Sequence, residues 1–297
     1  MSIGEPVGTV SALWRFPVKS MLGEELNQVD VDHGGIIGDR AFALVDVQTG
    51  KVASAKHPKV WPDLLRCRAS YVAPPRVDEP PPPVRIELAD GSSVMSNAPE
   101  VDAALSRFFG REVKLARAAP EDFTIDQYHP DQAHLDPQGH RDEVTEAKLG
   151  NALFRQVGMR SPLPEGSFLD VFPVSVITTS ALDHLGELQP GSTFDVRRFR
   201  MNVVVATQAK GFVENSWIGG AIDVGKRVKL AVPAPDPRCV MTTVAQEGLE
   251  RDPQILKALA THNRLDFAGA GLYPCAGVYA VVASSGPIRT GDPVTPG

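Results

Sequence analysis

Cys239 stands in "APDPRCVMTTV", directly after Arg238 and just past a Pro-Asp-Pro break. An arginine close to a thiol lowers its pKa, and the thiolate is the form that a soft metal ion binds. Buried free cysteine is common and inert, so the local sequence leaves Cys239 open between core filling, redox thiol and metal ligand. A second grouping is "DVRRFRMN", which crowds Arg197, Arg198 and Arg200 into four residues. Such crowding is unfavourable without an anion to share, so the segment reads as a site for a small anionic ligand. A third grouping sets His129, His134 and His140 among Asp131, Asp136 and Asp142. Their spacing fits no helix-borne metal pair and the surroundings are rich in proline and glycine, so this stretch reads as a solvated polar loop.

The whole chain narrows the chemistry further. At 297 residues, with 42% hydrophobic and 22% charged residues, it has the composition of a globular protein with a large core. Three scattered cysteines, Cys67, Cys239 and Cys275, support neither a disulfide framework nor an iron–sulfur cluster with four thiolates. A net charge of −6 argues against nucleic-acid partners, whose binding rests on phosphate neutralisation. No apolar run approaches the ~18–20 residues of a membrane span, and the first twenty residues lack a signal-peptide layout. A cytoplasmic protein without membrane attachment is expected. The sequence contains no Gly-x-Gly-x-x-Gly, no Walker-type phosphate loop and no Gly-x-Ser-x-Gly elbow, which removes the usual support for dehydrogenases, ATPases and α/β-hydrolases.

The elements that must position these residues are mostly strands. "AFALVDVQTGKVASA" and "VRIELADGSSVMS" read as hairpins with glycine in the turn. "NAPEVDAALSRFFG" changes to helical spacing, with Asn97 as its expected cap and Gly110 as its end. "FPVSVITTSALDHLGEL" reads as a strand, a Thr-Thr-Ser cap and a helix, and "RDPQILKALATHN" as a helix started by Asp252 and Pro253. "RRFRMNVVVAT", "KRVKLAVP", "RCVMTTVAQ" and "GVYAVVAS" read as strands. The expected fold is mainly β (α+β), with two β-barrel-like domains and a few short helices, at 1–118 and 119–297. Residues 119–170, polar and aperiodic, form a long irregular loop at the start of the second domain, of the kind that serves as lid or connector.

"FPVKSM", "GDRAFALVD", "FRMNVVV", "PRCVMTTV" and "GVYAVV…GPIRTGDPV", in that order, resemble the MOSC proteins that carry an N-terminal MOSC-associated β-barrel. That family includes the amidoxime-reducing components and the C-terminal part of molybdenum-cofactor sulfurase, and the resemblance runs from about Val10 to Val294. It implies a molybdenum cofactor (Mo-molybdopterin), with the metal on a pterin dithiolene that ends in phosphate. Lys19 and Ser20 match the family's Lys-Ser pair near the phosphate, and Arg40 in "GDRAF" an arginine that reaches the cofactor. Arg200 and Asn202 match its Phe-Arg-x-Asn motif. On a strand they and Arg198 would share one face, where guanidinium and amide could read phosphate or pterin edges. Thr179 and Ser180 stand at a helix start, where a cap leaves N–H groups available to an anion, and Arg238 flanks the thiol.

For the metal and for catalysis the resemblance points first to Cys239 and next to Cys275. The amidoxime-reducing branch places its ligand cysteine in the loop after the helix matching "PQILKALATHN", where this chain has His262 and Asn263. The implied activity is reduction of N-hydroxylated or related oxo substrates. A separate flavin, iron–sulfur or haem protein must supply the electrons, because the chain has no cluster or haem motif of its own. The alternative from the same resemblance is a non-catalytic carrier or binding protein for the cofactor or its sulfur. A degenerate fold acting as an interaction module is a third.

Overall fold

A computed structural model describes residues 4–77 and 79–297. Strands β1 (Gly8–Arg15), β2 (Glu24–Leu26), β3 (Gln28–Asp32), β4 (Gly35–Ile36) and β5 (Ala43–Asp46) open the chain. Then come β6 (Arg68–Tyr71), β7 (Val84–Glu87), β8 (Ser93–Met95), helix α1 (Val101–Phe109) and β9 (Val113–Ala116). A middle segment holds β10 (Thr124–His129), β11 (Glu143–Lys148) and α2 (Gly150–Gln156). The last part runs β12 (Val174–Thr178), α3 (Thr179–Leu188), β13 (Val203–Thr207), β14 (Ala221–Val224), β15 (Val228–Pro237) and α4 (Gln254–His262). It ends with β16 (Arg264–Asp266), β17 (Leu272–Ser284), β18 (Gly286–Arg289) and β19 (Pro293–Pro296). The expected mainly β fold with a few short helices is what the chain adopts.

Seven strands close a barrel in the order β12, β13, β1, β19, β14, β15, β17, with β17 pairing back to β12. Closure leaves no free edge among them. Alternation along the strands drives it: Val203 and Val205 of β13 and Val278 and Ala280 of β17 point into one buried core, and an irregularity between Val10 and Ala12 of β1 lets Val10 and Leu13 join them. The first strand therefore belongs to the barrel built by the last third of the chain, seated between β13 and β19. A second core lies under the small sheets β5–β9 and β6–β7–β8 and under α1, whose Leu105 is fully buried. Gly110 ends α1 in the left-handed region, while the helix starts at Glu100 rather than at Asn97. Among the described residues no helix is long and apolar enough to cross a membrane.

Three local expectations differ. "RRFRMN" is not strand: Val196–Arg198 make a 3-10 turn started by the Asp195 side chain, which accepts from the Arg197 N–H at 2.9 Å. Arg200 then takes a left-handed φ of 57°, and β13 begins only at Val203. "RCVMTTVAQ" is likewise a 3-10 turn, Val240–Thr243, because the Thr242 and Thr243 hydroxyls donate back to the Cys239 and Val240 carbonyls at 3.0 and 2.7 Å. Residues 119–170 are not irregular throughout. They contain the antiparallel hairpin β10–β11 and the short α2, and the hairpin base packs Phe123 and Ile125 on Ala43, Val52 and Phe168.

Candidate functional site

A cavity of about 550 Å³ lies where the early chain, the hairpin segment and the barrel meet. Lys19, Ser20 and Arg40 reach it from the loops that follow β1 and β4. Arg200 and Asn202 reach it from the turn before β13, and Arg238 and Cys239 from the end of β15. Ser20, Arg40 and Arg200 are three of the six non-glycine residues with positive φ among the described residues. Such backbone is costly for residues with a side chain and persists where the surroundings enforce it, often at functional sites. Here it brings two guanidinium groups onto one ring: Arg40 and Arg200 lie 4.6 and 4.3 Å from the Phe16 centroid.

The charges have an internal order. Asp170, at the end of the hairpin segment, pairs with Lys19 and with Lys56 at 2.7 Å, and Lys19 also donates to the Phe168 carbonyl at 3.0 Å. Burial disfavours a charged Asp170, but Lys19 and Lys56 outweigh that and hold it well below the usual carboxylate range. Burial likewise lowers Lys19 to about 8, against the attraction of Asp170. Arg40 pairs with buried Asp39, which also accepts from the Phe16 N–H at 2.7 Å and the Asn202 amide at 3.0 Å. Arg238 pairs with Asp236 at 2.6 Å.

Among the described residues Arg200 has no carboxylate of its own. It donates to the Met21 carbonyl, and burial together with neighbouring Arg40 lowers it to about 9. Lys19 and Lys56 thus share Asp170, Arg40 pairs with Asp39 and Arg238 with Asp236, while Asp136 and Glu146, which also line the cavity, lie against His129 and His140 and against Lys51. Of the five cations Lys19, Arg40, Lys56, Arg200 and Arg238, Arg200 alone has no carboxylate partner among the described residues, and a bound anion would supply one. The Arg238 Nε is buried without a hydrogen-bond partner, which marks the same need.

The cysteines separate cleanly. Cys239 lines the cavity, is partly exposed, and lies close enough to Lys56 and Arg238 for a thiolate there to strengthen both cations. Cys275 is buried in β17 outside the cavity lining; its thiol donates to the Tyr273 carbonyl at 3.2 Å, and burial pushes it up to about 12. Cys67 lies in the second core and is likewise pushed to about 12 by burial.

The remaining expected residues are placed as follows. Arg198 is buried beside the site, not in it: its guanidinium donates to the carbonyls of Thr193 (3.0 Å), Glu250 (2.7 Å), Thr242 (3.4 Å) and Val244 (3.5 Å). It cannot share a face with Arg200 because the segment turns instead of extending. The cap of α3 is Thr178, which accepts from the Ala181 N–H at 3.2 Å. Thr179 and Ser180 sit inside the first turn away from the cavity, Ser180 donating to the Gly211 carbonyl at 2.9 Å. Ser20 lines the cavity, but its hydroxyl already accepts from the Ala55 N–H at 3.1 Å. Asn263 is committed to the barrel, donating to the Cys275 carbonyl at 2.9 Å. Sequence reasoning missed Lys56, Asp170 and Asp236, because an isolated lysine or aspartate carries no motif and becomes part of a site only through folding.

The chain matches two known domain families. The MOSC domain matches residues 164–295, and the MOSC N-terminal beta barrel domain matches residues 7–111. Mitochondrial amidoxime reducing component 2 of Macaca fascicularis is 26% identical over 311 residues, spanning 98% of this chain and 84% of the relative. The Homo sapiens protein of that name is 26% identical, with the same coverage of both chains. Among solved structures, the YUAD protein from Bacillus subtilis aligns over 97% of this chain and 93% of its own at 12% identity, with a TM-score of 0.43.

Proposed function

We propose, from the premise that the chain belongs to the MOSC-domain proteins with a MOSC N-terminal beta barrel domain, that it is a molybdenum-cofactor-dependent reductase of N–O or related oxo substrates. The observation that carries this reading is the pairing of a buried cation cluster, in which Arg200 lacks a carboxylate partner among the described residues, with the partly exposed Cys239 thiol in one cavity. The residues present fit a pterin dithiolene with a terminal phosphate. Lys19, Arg40, Lys56 and Arg200 would take the phosphate, the unpartnered Arg238 Nε would meet a pterin or phosphate oxygen, and Cys239 would ligate the metal. When bound, the cofactor supplies two-electron oxo-transfer chemistry.

What the chain contributes is binding, orientation and exclusion of water. Asp39 locks Arg40 and Asn202, and Asn202 in turn accepts from the Ser175 N–H and hydroxyl, both at 3.1 Å, so this wall is rigid before any ligand arrives. Tyr128, Leu149 and Leu153 of the hairpin segment line the cavity. Electrons come from a separate redox protein of flavin, iron–sulfur or haem type, and the substrate is a small molecule.

The absence of a thiol after α4 favours a second reading, a carrier that binds the cofactor without turnover. Protein from a host that makes the cofactor, assayed with reduced viologen and a hydroxylamine-type substrate, separates the two. The reductase turns over; the carrier binds pterin, releases it and leaves the substrate intact.

A further inference from the structure

The histidine-rich stretch of the hairpin segment is more ordered than a solvated loop. His129 ends β10, and its Nε2 shares a hydrogen bond with the Thr145 hydroxyl of β11 at 2.8 Å. Its Nδ1 lies 3.6 Å from Asp136 Oδ2, and the same oxygen lies 3.8 Å from Nε2 of His140. The two rings are 5.1 Å apart, and His140 is fixed by Glu143 at 2.8 Å. The Asp136 side chain is 8% exposed, and this Oδ2 has no hydrogen-bond partner. A buried carboxylate oxygen without a partner between two imidazoles is costly unless a proton or a ligand completes it.

The cluster also faces the right place. His129, Asp136 and His140 line the cavity that holds Cys239. Leu135, next to Asp136, packs on Leu256 and Ala260 of α4, and α4 packs on the 3-10 turn that starts immediately after Cys239. Asp136 also acts on Tyr273, one residue before Pro274, whose carbonyl accepts from the Arg238 N–H at 2.8 Å. His129 and His140 are the imidazoles among the described residues lining the cavity, and imidazole is the side chain suited to move protons near neutral pH.

We propose that His129 and His140, positioned by Asp136, are the proton donors of the reduction. This rests on the reading of the chain as an N–O reductase. The net step breaks the N–O bond. Two electrons from the external redox protein and one proton go to nitrogen, and the hydroxyl leaves with a second proton as water. The groups facing the pair are Asp136 between them, Glu143 from β11 and the Tyr273 phenol from β17. Burial lowers His129, partly offset by Asp136, so the charged donor is scarce above neutrality and turnover should fall as pH rises.

The test uses molybdenum-loaded full-length protein with reduced methyl viologen and benzamidoxime, comparing wild type with His129→Gln, His140→Gln and Asp136→Asn. His134→Gln, which lies outside the cavity lining, is the control. The expected result is unchanged molybdenum content and melting temperature, KM within about threefold, and kcat lowered about 100-fold at pH 7.5 for each of the histidine variants. That deficit should narrow toward pH 5.5. Histidine-ring NMR on the full chain should show the His129 titration midpoint moving down in Asp136→Asn, a readout independent of turnover. An active wild type whose loaded histidine variants keep kcat within about threefold overturns this proposal alone. A loaded wild type that reduces no N–O substrate overturns the underlying reading and this proposal with it.

Discussion

Two arginines two positions apart do different work, and the difference tests the description of the site. Arg198 spends its guanidinium on backbone carbonyls of Thr193, Thr242, Val244 and Glu250, so Arg198→Ala leaves buried acceptors without donors. The expected loss is about 2–4 kcal/mol in urea denaturation. Arg200 has no carboxylate partner among the described residues and faces the cavity, so Arg200→Met should reduce retained cofactor several-fold while stability changes little or rises, because it removes an underpaired buried charge. Pterin fluorescence after acid release measures the first, and the same denaturation series the second. The sequence made the basic clump visible but not this division of labour. A period-2 reading put both side chains on one face, whereas Asp195 and the left-handed Arg200 turn the chain between them.

Elements were legible where their patterns were local and strong. β15 and β17 were anticipated from apolar runs, and α4 from Asp252, which accepts from the Gln254 N–H at 2.9 Å. The hairpin β10–β11 was not, because its strands are mostly polar with Ile125 alone fully buried, and its pairing depends on the body beneath it. Barrel closure makes sharper demands. Gly277, on β17 at the closing seam with β12, has φ +77°, and a Cβ there would lie 2.4 Å from Met201 Cε and 2.6 Å from the Val176 carbonyl oxygen. Gly277→Ala should therefore destabilise the protein by about 3 kcal/mol, read by chemical denaturation.

Beside that seam, Glu214 is fully buried, accepts from the Thr178 hydroxyl at 2.5 Å, and is raised by burial to about 7. The native state holds this proton while the unfolded chain releases it near 4.5, so stability is highest below that value and is lost as pH climbs to about 7. Two to three units correspond to roughly 3 kcal/mol, and Glu214→Gln should flatten the profile between pH 5 and 7.

At the scale of the whole molecule, the chain crosses its own domain division. β1 supplies a barrel strand between β13 and β19, and β3 pairs with β18 beside it. A fragment of residues 119–297 therefore lacks the strand that joins two edges of its barrel, and exposed edges pair with other chains. Expressed alone it should aggregate or remain unfolded by far-ultraviolet circular dichroism, and a soluble folded monomer would contradict this topology. The same crossing explains why the site is only partly readable from sequence. Lys19, Lys56, Asp170 and Cys239 are far apart in the chain and meet only because the barrel, the second core and the hairpin segment converge on one cavity.

Molybdenum held by Cys239 in this cavity is what the proposed function requires. Its most direct test is the molybdenum and pterin content of protein purified from a cofactor-competent host, for the wild type, Cys239→Ala and Cys275→Ala. The account predicts near-stoichiometric molybdenum in the wild type and in Cys275→Ala, and its loss in Cys239→Ala. Molybdenum retained without the Cys239 thiol, or none in the wild type, would contradict it.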